Sequence, residues 1–166
     1  MNIAVQIGPR DGAPPRVVYR WDPDTDILSA QVRPAPPTGG STGSVEVEGA
    51  DGSWIILDLQ DGAVCGIEIA VWPDVTKHGG LVAPATVREA SVRLSGSDVA
   101  PVTSLEVETP MAAESDVQGR IFHFRFGGPR QTTVVRVAKD LLFDVDATDH
   151  VAGLWLLNVP PFPQVP

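Results

Sequence analysis

Ser53 to Trp72, SWIILDLQDGAVCGIEIAVW, reads as two apolar strands on either side of an Asp61-Gly62 turn. Ile55, Leu57 and Leu59 before the turn are odd-numbered, and so are Ala63, Cys65, Ile67, Ile69 and Val71 after it. The even positions are mixed: Trp54, Ile56, Asp58, then Val64, Gly66, Glu68, Ala70 and Trp72. Side chains alternate faces along a strand, so the two odd sets share a face only if the loop holds an odd number of residues. Parity therefore predicts a three-residue loop, Gln60-Asp61-Gly62, with Gly62 left-handed in a G1 bulge. That loop pairs Leu59 with Ala63, Leu57 with Cys65 and Ile55 with Ile67, and it buries Cys65 as a small apolar side chain.

The same reading extends outward. Ile3, Val5 and Ile7 alternate in a short first strand. Arg16 to Trp21 and Ile27 to Arg33 flank the turn Asp22-Pro23-Asp24-Thr25, with Asp and Pro where a type I turn prefers them. Val17, Tyr19 and Trp21 are apolar at odd positions and Leu28, Ala30 and Val32 at even ones, which demands an even loop; four residues would pair Trp21 with Asp26 and Tyr19 with Leu28. Residues 34–43, PAPPTGGSTG, read as an exposed loop. Ser44 to Glu48, Val87 to Leu94, Ser104 to Thr109, Arg120 to Phe126, Thr133 to Val145 and Val151 to Val159 read as further strands. The PPFPQVP tail lacks the backbone donors a ladder needs.

Sixteen Gly and sixteen Pro spread along 166 residues break any helical period, while Val, Ile and Thr cluster in alternating runs. An all-β chain with little or no helix follows. The net charge of −9 and the lack of a basic stripe argue against nucleic acid or an anionic membrane as partner. A single cysteine rules out an intramolecular disulfide, no apolar run is long enough for a membrane helix, and the first residues show no signal-peptide pattern. A cytoplasmic protein is the expectation.

Set beneath Leu57 to Pro73, the segment Phe143 to Pro160 coincides with it after one extra turn residue. Asp58 falls on Asp144, Gly66 on Gly153, Ile67 on Leu154 and Ile69 on Leu156. The second turn would span Asp146 to Asp149, with Val145 opposite His150. These correspondences predict two repeated antiparallel β-meander units, packed as a β-sandwich or barrel with pseudo-two-fold symmetry. The first repeat covers residues 1–75, a linker 76–85, the second repeat 86–160 and a tail 161–166, together making one domain. Glu68, Ala70 and Trp72 correspond to Trp155, Leu157 and Val159, so the last strand is apolar on both sides and needs either a central position or a partner subunit over its outer face.

Trp21, Asp22, Asp26 and Leu28, followed by Asp58, Gly62, Gly66, Ile67, Glu68 and Ile69, resemble the start and finish of the domain of unknown function family 2283, short bacterial β domains. The likeness covers Val17 to Val71 around the longer 34–43 loop. Gln60 replaces the usual second Asp and Ser29 a common aromatic. The second half keeps Asp144 and Asp146 but has Trp155 at the Glu position. The resemblance implies a bacterial β fold and, because the family has no assigned activity, no mechanism.

Candidate chemistry is sparse. Gly39 to Gly43 has the letters of a hydrolase nucleophile elbow, but that motif needs a strand-to-helix turn. Asp22, Asp24 and Asp26 are spaced like calcium-loop ligands, yet Ile27 and Arg33 stand where Gly and Glu are required. Turn capping explains them, although this turn and the acidic Asp144, Asp146 and Asp149 turn together form a candidate weak-cation site. His78, His123 and His150 lack zinc spacing, and His123, alternating with Phe, is expected to face solvent. No catalytic residue, metal or cofactor is assigned; Asp58, Glu68 and Asp144 are the carboxylates an enzyme would use. The leading expectation is a non-catalytic interaction or structural protein, a homo-oligomer through Trp155, Leu157 and Val159 or a binder of another protein. The alternative is a small-ligand module, for a sugar or weak cation, with Trp54, Trp72, Glu68 and Asp58 around a groove.

Overall fold

A computed structural model describes residues 3–35, 40–95 and 104–163, so part of the 34–43 loop and the end of the tail lie outside the described residues. Within them the chain forms fifteen strands and no helix, so no helix is long and apolar enough to cross a membrane. In chain order these are β1 (Ala4–Gly8), β2 (Arg16–Trp21), β3 (Leu28–Arg33), β4 (Thr42–Glu48) and β5 (Trp54–Gln60). Then come β6 (Ala63–Val71), β7 (Val75–Lys77), β8 (Arg88–Glu89), β9 (Ser91–Ser95) and β10 (Ser104–Glu108). The last five are β11 (Met111–Ser115), β12 (Phe122–Phe126), β13 (Thr132–Ala138), β14 (Leu141–Asp146) and β15 (Val151–Leu156).

Two sheets face each other in a sandwich, not a closed barrel. One has the order β10-β4-β5-β6-β3-β2, the other β7-β11-β12-β15-β14-β13-β8. The inner faces meet in one core that includes Leu28, Ile55, Leu57, Ile67 and Ile69 from the first sheet and Phe122, Phe124, Phe143, Leu154 and Leu156 from the second. Each sheet contains the same five-strand order, β2-β3-β6-β5-β4 in one and β11-β12-β15-β14-β13 in the other. Each also carries a parallel strand beyond the last member, β10 on β4 and β8 on β13.

The central hairpin keeps Ile55, Leu57, Leu59, Ile67 and Ile69 on the core face by a different device, while Val64 takes the inward place expected of Ala63 and Cys65. Leu57 pairs with Ile67 and Ile55 with Ile69, while Gln60 pairs with Ala63 around a two-residue Asp61-Gly62 turn. Both turn residues have positive φ, 49° and 79°, as a type I′ hairpin requires. The extra residue that parity demands lies in the strand, where Cys65 is left unpaired between the Leu59–Val64 and Asp58–Gly66 pairs. A bulge is the other way to change parity, because it inserts one residue on one strand only. Cys65 therefore leaves the core face, and its half-buried Sγ lies 3.3 Å from the Asp58 carbonyl oxygen. Burial, reinforced by the Asp58 carboxylate, pushes its thiol pKa up.

The β14–β15 hairpin repeats the device. Asp144 pairs with Gly153 and Val145 with Val151, leaving Ala152 as the unpaired residue. Its turn is closed by Asp146 N donating to His150 O at 2.9 Å, one residue tighter than expected, with Asp149 at φ 59°. At β2–β3 the even loop holds, but it is longer. Trp21 pairs with Leu28 and Tyr19 with Ala30, because Asp22 and Asp26 close the turn through Asp22 N to Ile27 O and Asp26 N to Asp22 O.

Other boundaries moved for local reasons. Thr133 to Val145 is not one strand, since it turns back at Lys139-Asp140 to form the β13–β14 hairpin. Buried Ala90 separates β8 from β9 within the expected Val87 to Leu94 strand, and β11 adds a strand between the expected Ser104 to Thr109 and Arg120 to Phe126 strands. Residues 76–85 are more than a linker: β7 pairs with β11, and Leu81 packs on the outer face of the second sheet.

A two-stranded ribbon of β1 and β9 ties the sheets together at one end. Leu94 N donates to Gly62 O on the first hairpin, and Val5 N donates to Asp149 O on the second, each at 2.8 Å. At the other end Trp21 and Trp72 stack with centroids 5.6 Å apart, and Trp72 packs on Phe122 and Phe124. The tail returns to this cluster. Trp21 Nε1 donates to Pro160 O at 2.8 Å, and Phe162 meets the Trp21 ring edge-on.

Candidate functional site

The second sheet carries a polar constellation on its outer face. In β12, FHFRF, the phenylalanines point inward by the two-residue period, so His123 and Arg125 point outward. Gly153 lies between Arg125 and Asp144 in the ladder. With no side chain there, His123 reaches diagonally over Gly153, and its Nε2 lies 2.6 Å from Asp144 Oδ2. Trp155, paired with His123 across the strands, donates from Nε1 to Asp144 Oδ1 at 3.1 Å. The imidazole and indole stack at 3.8 Å and 11°. Asp144 is only 5% exposed and the His123 side chain 14%, so a buried carboxylate is shared by two donors held parallel to each other. The expectation that His123 faces open solvent is corrected by this pairing.

Around this floor lies a groove of about 490 Å³, walled by Gly127, Gly128, Arg130 and Thr132 on one side and by Arg125 on another. Arg130 is fixed by Nη1 donating to Phe126 O and Gly128 O, and by Nε on Asp146 Oδ2 at 3.0 Å. Arg125, half exposed, pairs with Glu114 at 2.9 Å. A carboxylate behind a histidine fixes its tautomer and orientation, the arrangement used both for binding and for acid–base work. His123 makes no other hydrogen bond among the described residues, and no hydroxyl or thiol partners it as a nucleophile would.

Asp146 anchors the neighbouring turn. Its Oδ1 accepts from Thr148 N and Oγ1 and from His150 N. Burial acts to raise its pKa, but these donors and Arg130 outweigh that and hold it at about 2. A carboxyl depressed on folding stabilises above its unfolded pKa and stops doing so as pH falls through the folded value. Asp146→Asn should therefore be less stable than wild type at pH 7, and the gap should close between roughly pH 4 and pH 2. Urea titrations across that range check it.

The first sheet holds different groups in the same ladder positions. Ser29 stands where His123 does, Asp58 where Asp144 does and Glu68 where Trp155 does. Asp58 and Glu68 do share a shallow groove of about 350 Å³ with Ser29, Arg33 and Cys65. The Asp58 carboxylate accepts no hydrogen bond among the described residues, and burial pushes its pKa up.

Trp54 and Trp72 do not line one groove. A bulge at Ala70, between the Ile55–Ile69 and Trp54–Val71 pairs, turns Val71 outward beside Trp54 and sends Trp72 into the core. There Trp72 Nε1 donates to Asp26 O at 2.8 Å. Trp155, Leu157 and Val159 form no open face either: all three are buried within the chain, Trp155 and Leu157 under Leu81 and Val87. β15 takes the central position instead. The two acidic turns lie at opposite ends of the sandwich, since the β1–β9 ribbon binds the Asp149 turn while the Asp22 turn caps the far end of β3. Among the described residues no three His, Cys, Asp or Glu side chains are grouped to hold a metal ion.

A scan against protein-family models and a search of curated proteins give no match to this chain. The site thus stands on its own geometry. The sequence signal for it was the coincidence of outward His123, a glycine and an outward Asp on one sheet; what hid it was the β12–β15 pairing, which joins residues far apart in the chain.

Proposed function

We propose that this chain is a non-catalytic binding protein whose ligand site is the groove over His123, Asp144 and Trp155. The observation that carries the reading is the single buried carboxylate bonded by both rings, which holds His123 in one orientation at the groove floor. A small polar ligand suits the groove, one with a hydrogen-bonding group for His123 and an anionic group for the half-exposed Arg125 guanidinium. Covalent catalysis is not part of the proposal, because among the described residues His123 has no partnered nucleophile.

A dimer through Trp155, Leu157 and Val159 is not part of it either, since the chain's own Leu81 and Val87 lie over that face. The repeated strand order and the paired bulges at Cys65 and Ala152 support descent from a duplicated meander like that of the family 2283 domains. A reducing, cytoplasmic setting suits the one free thiol.

The test is a thermal-shift screen of small organic acids, sugars and nucleotides at millimolar concentration. At least one anionic compound should raise Tm in the wild type, and the rise should vanish in His123→Ala but persist in Ser29→Ala. No stabilisation by any compound, or equal stabilisation of the His123 variant, would refute the reading.

A further inference from the structure

The two outer sheet faces are treated differently. The second sheet's is covered in part, over the Leu142, Trp155 and Leu157 cluster, by the chain segment bearing Leu81 and Val87, which leaves the His123 groove open beside it. On the first sheet the equivalents of Leu142 and Trp155, Ile56 and Glu68, carry no such cover among the described residues. Next to them Trp54 and Val71 form a cross-strand pair left 37% and 45% exposed. Trp54 borders a groove of about 580 Å³ whose other walls are Glu46 and Glu48 on β4 and Glu106 and Glu108 on β10.

β4 and β10 run parallel with Glu46 beside Glu106 and Glu48 beside Glu108. Like charges placed directly opposite each other destabilise a sheet. No Lys, Arg or His lines the groove, and none of the four glutamates has a salt bridge among the described residues. The glutamates are not grouped to hold a metal ion. A second copy of the same acidic face would be repelled, in a chain of net charge −9.

We infer that this face docks an arginine-bearing segment of another protein. Guanidinium groups would meet the two glutamate rows, and one would lie over the exposed indole of Trp54, where carboxylate pairing and cation–π attraction act on the same planar group. Desolvated aromatic and arginine contacts of this kind concentrate binding energy at protein interfaces.

The probe is a fluorescein-labelled eight-residue peptide alternating Arg and Leu, with a Glu–Leu peptide as its counterpart, followed by anisotropy at low and at physiological salt. The Arg peptide should bind and the Glu peptide should not. The pair Glu46→Gln with Glu106→Gln should weaken binding at least tenfold, and Trp54→Ala at least fivefold. Asp11→Asn with Asp74→Asn, which removes the same charge from exposed sites elsewhere, should change it less than twofold; circular dichroism verifies that all variants fold. Equal losses in the control pair would mean unspecific charge attraction and overturn the proposal. So would no binding at millimolar peptide, displacement of the peptide by millimolar calcium or magnesium, or concentration-dependent self-association that Trp54→Ala abolishes.

Discussion

Replacing Gly153 by alanine is expected to cost about 3 kcal/mol or more of folding stability, whereas the same change at Gly66 should cost less than about 1 kcal/mol. The two glycines occupy the same ladder position, each opposite an aspartate. A Cβ at Gly153 would lie 2.8 Å from Asp144 Oδ2, 3.4 Å from Arg125 Cα and well inside contact distance of the Phe124 carbonyl oxygen. The backbone of β12 cannot yield without moving Phe124, which is fully buried between the sheets. The new methyl group would also stand in the path His123 uses to reach Asp144. At Gly66 the nearest atoms are Asp58 Oδ2 at 3.5 Å and Ala30 O at 3.6 Å, ordinary contacts, and alanine is the better strand residue. Urea denaturation of both variants checks the contrast, and equal tolerance would mean that β12 and β15 are not paired as described.

Asp144→Ala should destabilise by about 3 kcal/mol, because it strands the largely buried Trp155 Nε1 donor and the His123 ring nitrogen without their shared partner. Asp144→Asn, which keeps one acceptor and offers one donor, should lose less than half of that. Asp58→Ala at the matching position of the first sheet is expected to be neutral or mildly stabilising. Its carboxylate is partly desolvated, which pushes its pKa up, and it has no donor among the described residues to compensate. Chemical denaturation supplies the energies, and near-ultraviolet circular dichroism should show the loss of the stacked Trp155 environment only in the Asp144 variants. A larger loss at Asp58 than at Asp144 would contradict the assignment of the polar constellation to the second sheet.

Much of the fold can be read from apolar parity. Leu57 and Ile67 share a face because alternation with a period of two, reset once by the bulge at Cys65, turns both inward, and the same period places Val45 and Val47, Leu28 and Ala30, and the three phenylalanines of β12 inside. Parity requires one extra residue in the central hairpin but does not say whether a loop or a bulge holds it. The two positive-φ residues at Asp61-Gly62 settle on the tight turn, so the surplus moves to Cys65. The second bulge, at Ala70, carries Trp72 from the expected outer groove into the aromatic cluster, and so removes one of the two tryptophans of the expected ligand site. Strand order lies beyond parity, because pairings such as β10 on β4 or β12 beside β15 depend on segments distant in the chain. The pairing of His123 is hidden from the sequence for that reason: its neighbours in the chain are Phe122 and Phe124, while its partners Asp144 and Trp155 come from β14 and β15.

The ribbon that crosses between the hairpins has a bearing on how this chain is made. As the first sheet leaves the ribosome, β4 lacks its neighbour β10 and the Gly62 carbonyl lacks Leu94, both of which are translated only after β6. The nascent sheet thus has an open border and an uncapped tip until the later residues arrive. Synthesis of the connecting strands β9 and β10, ahead of β11 to β15, is in that sense the step that seals the first.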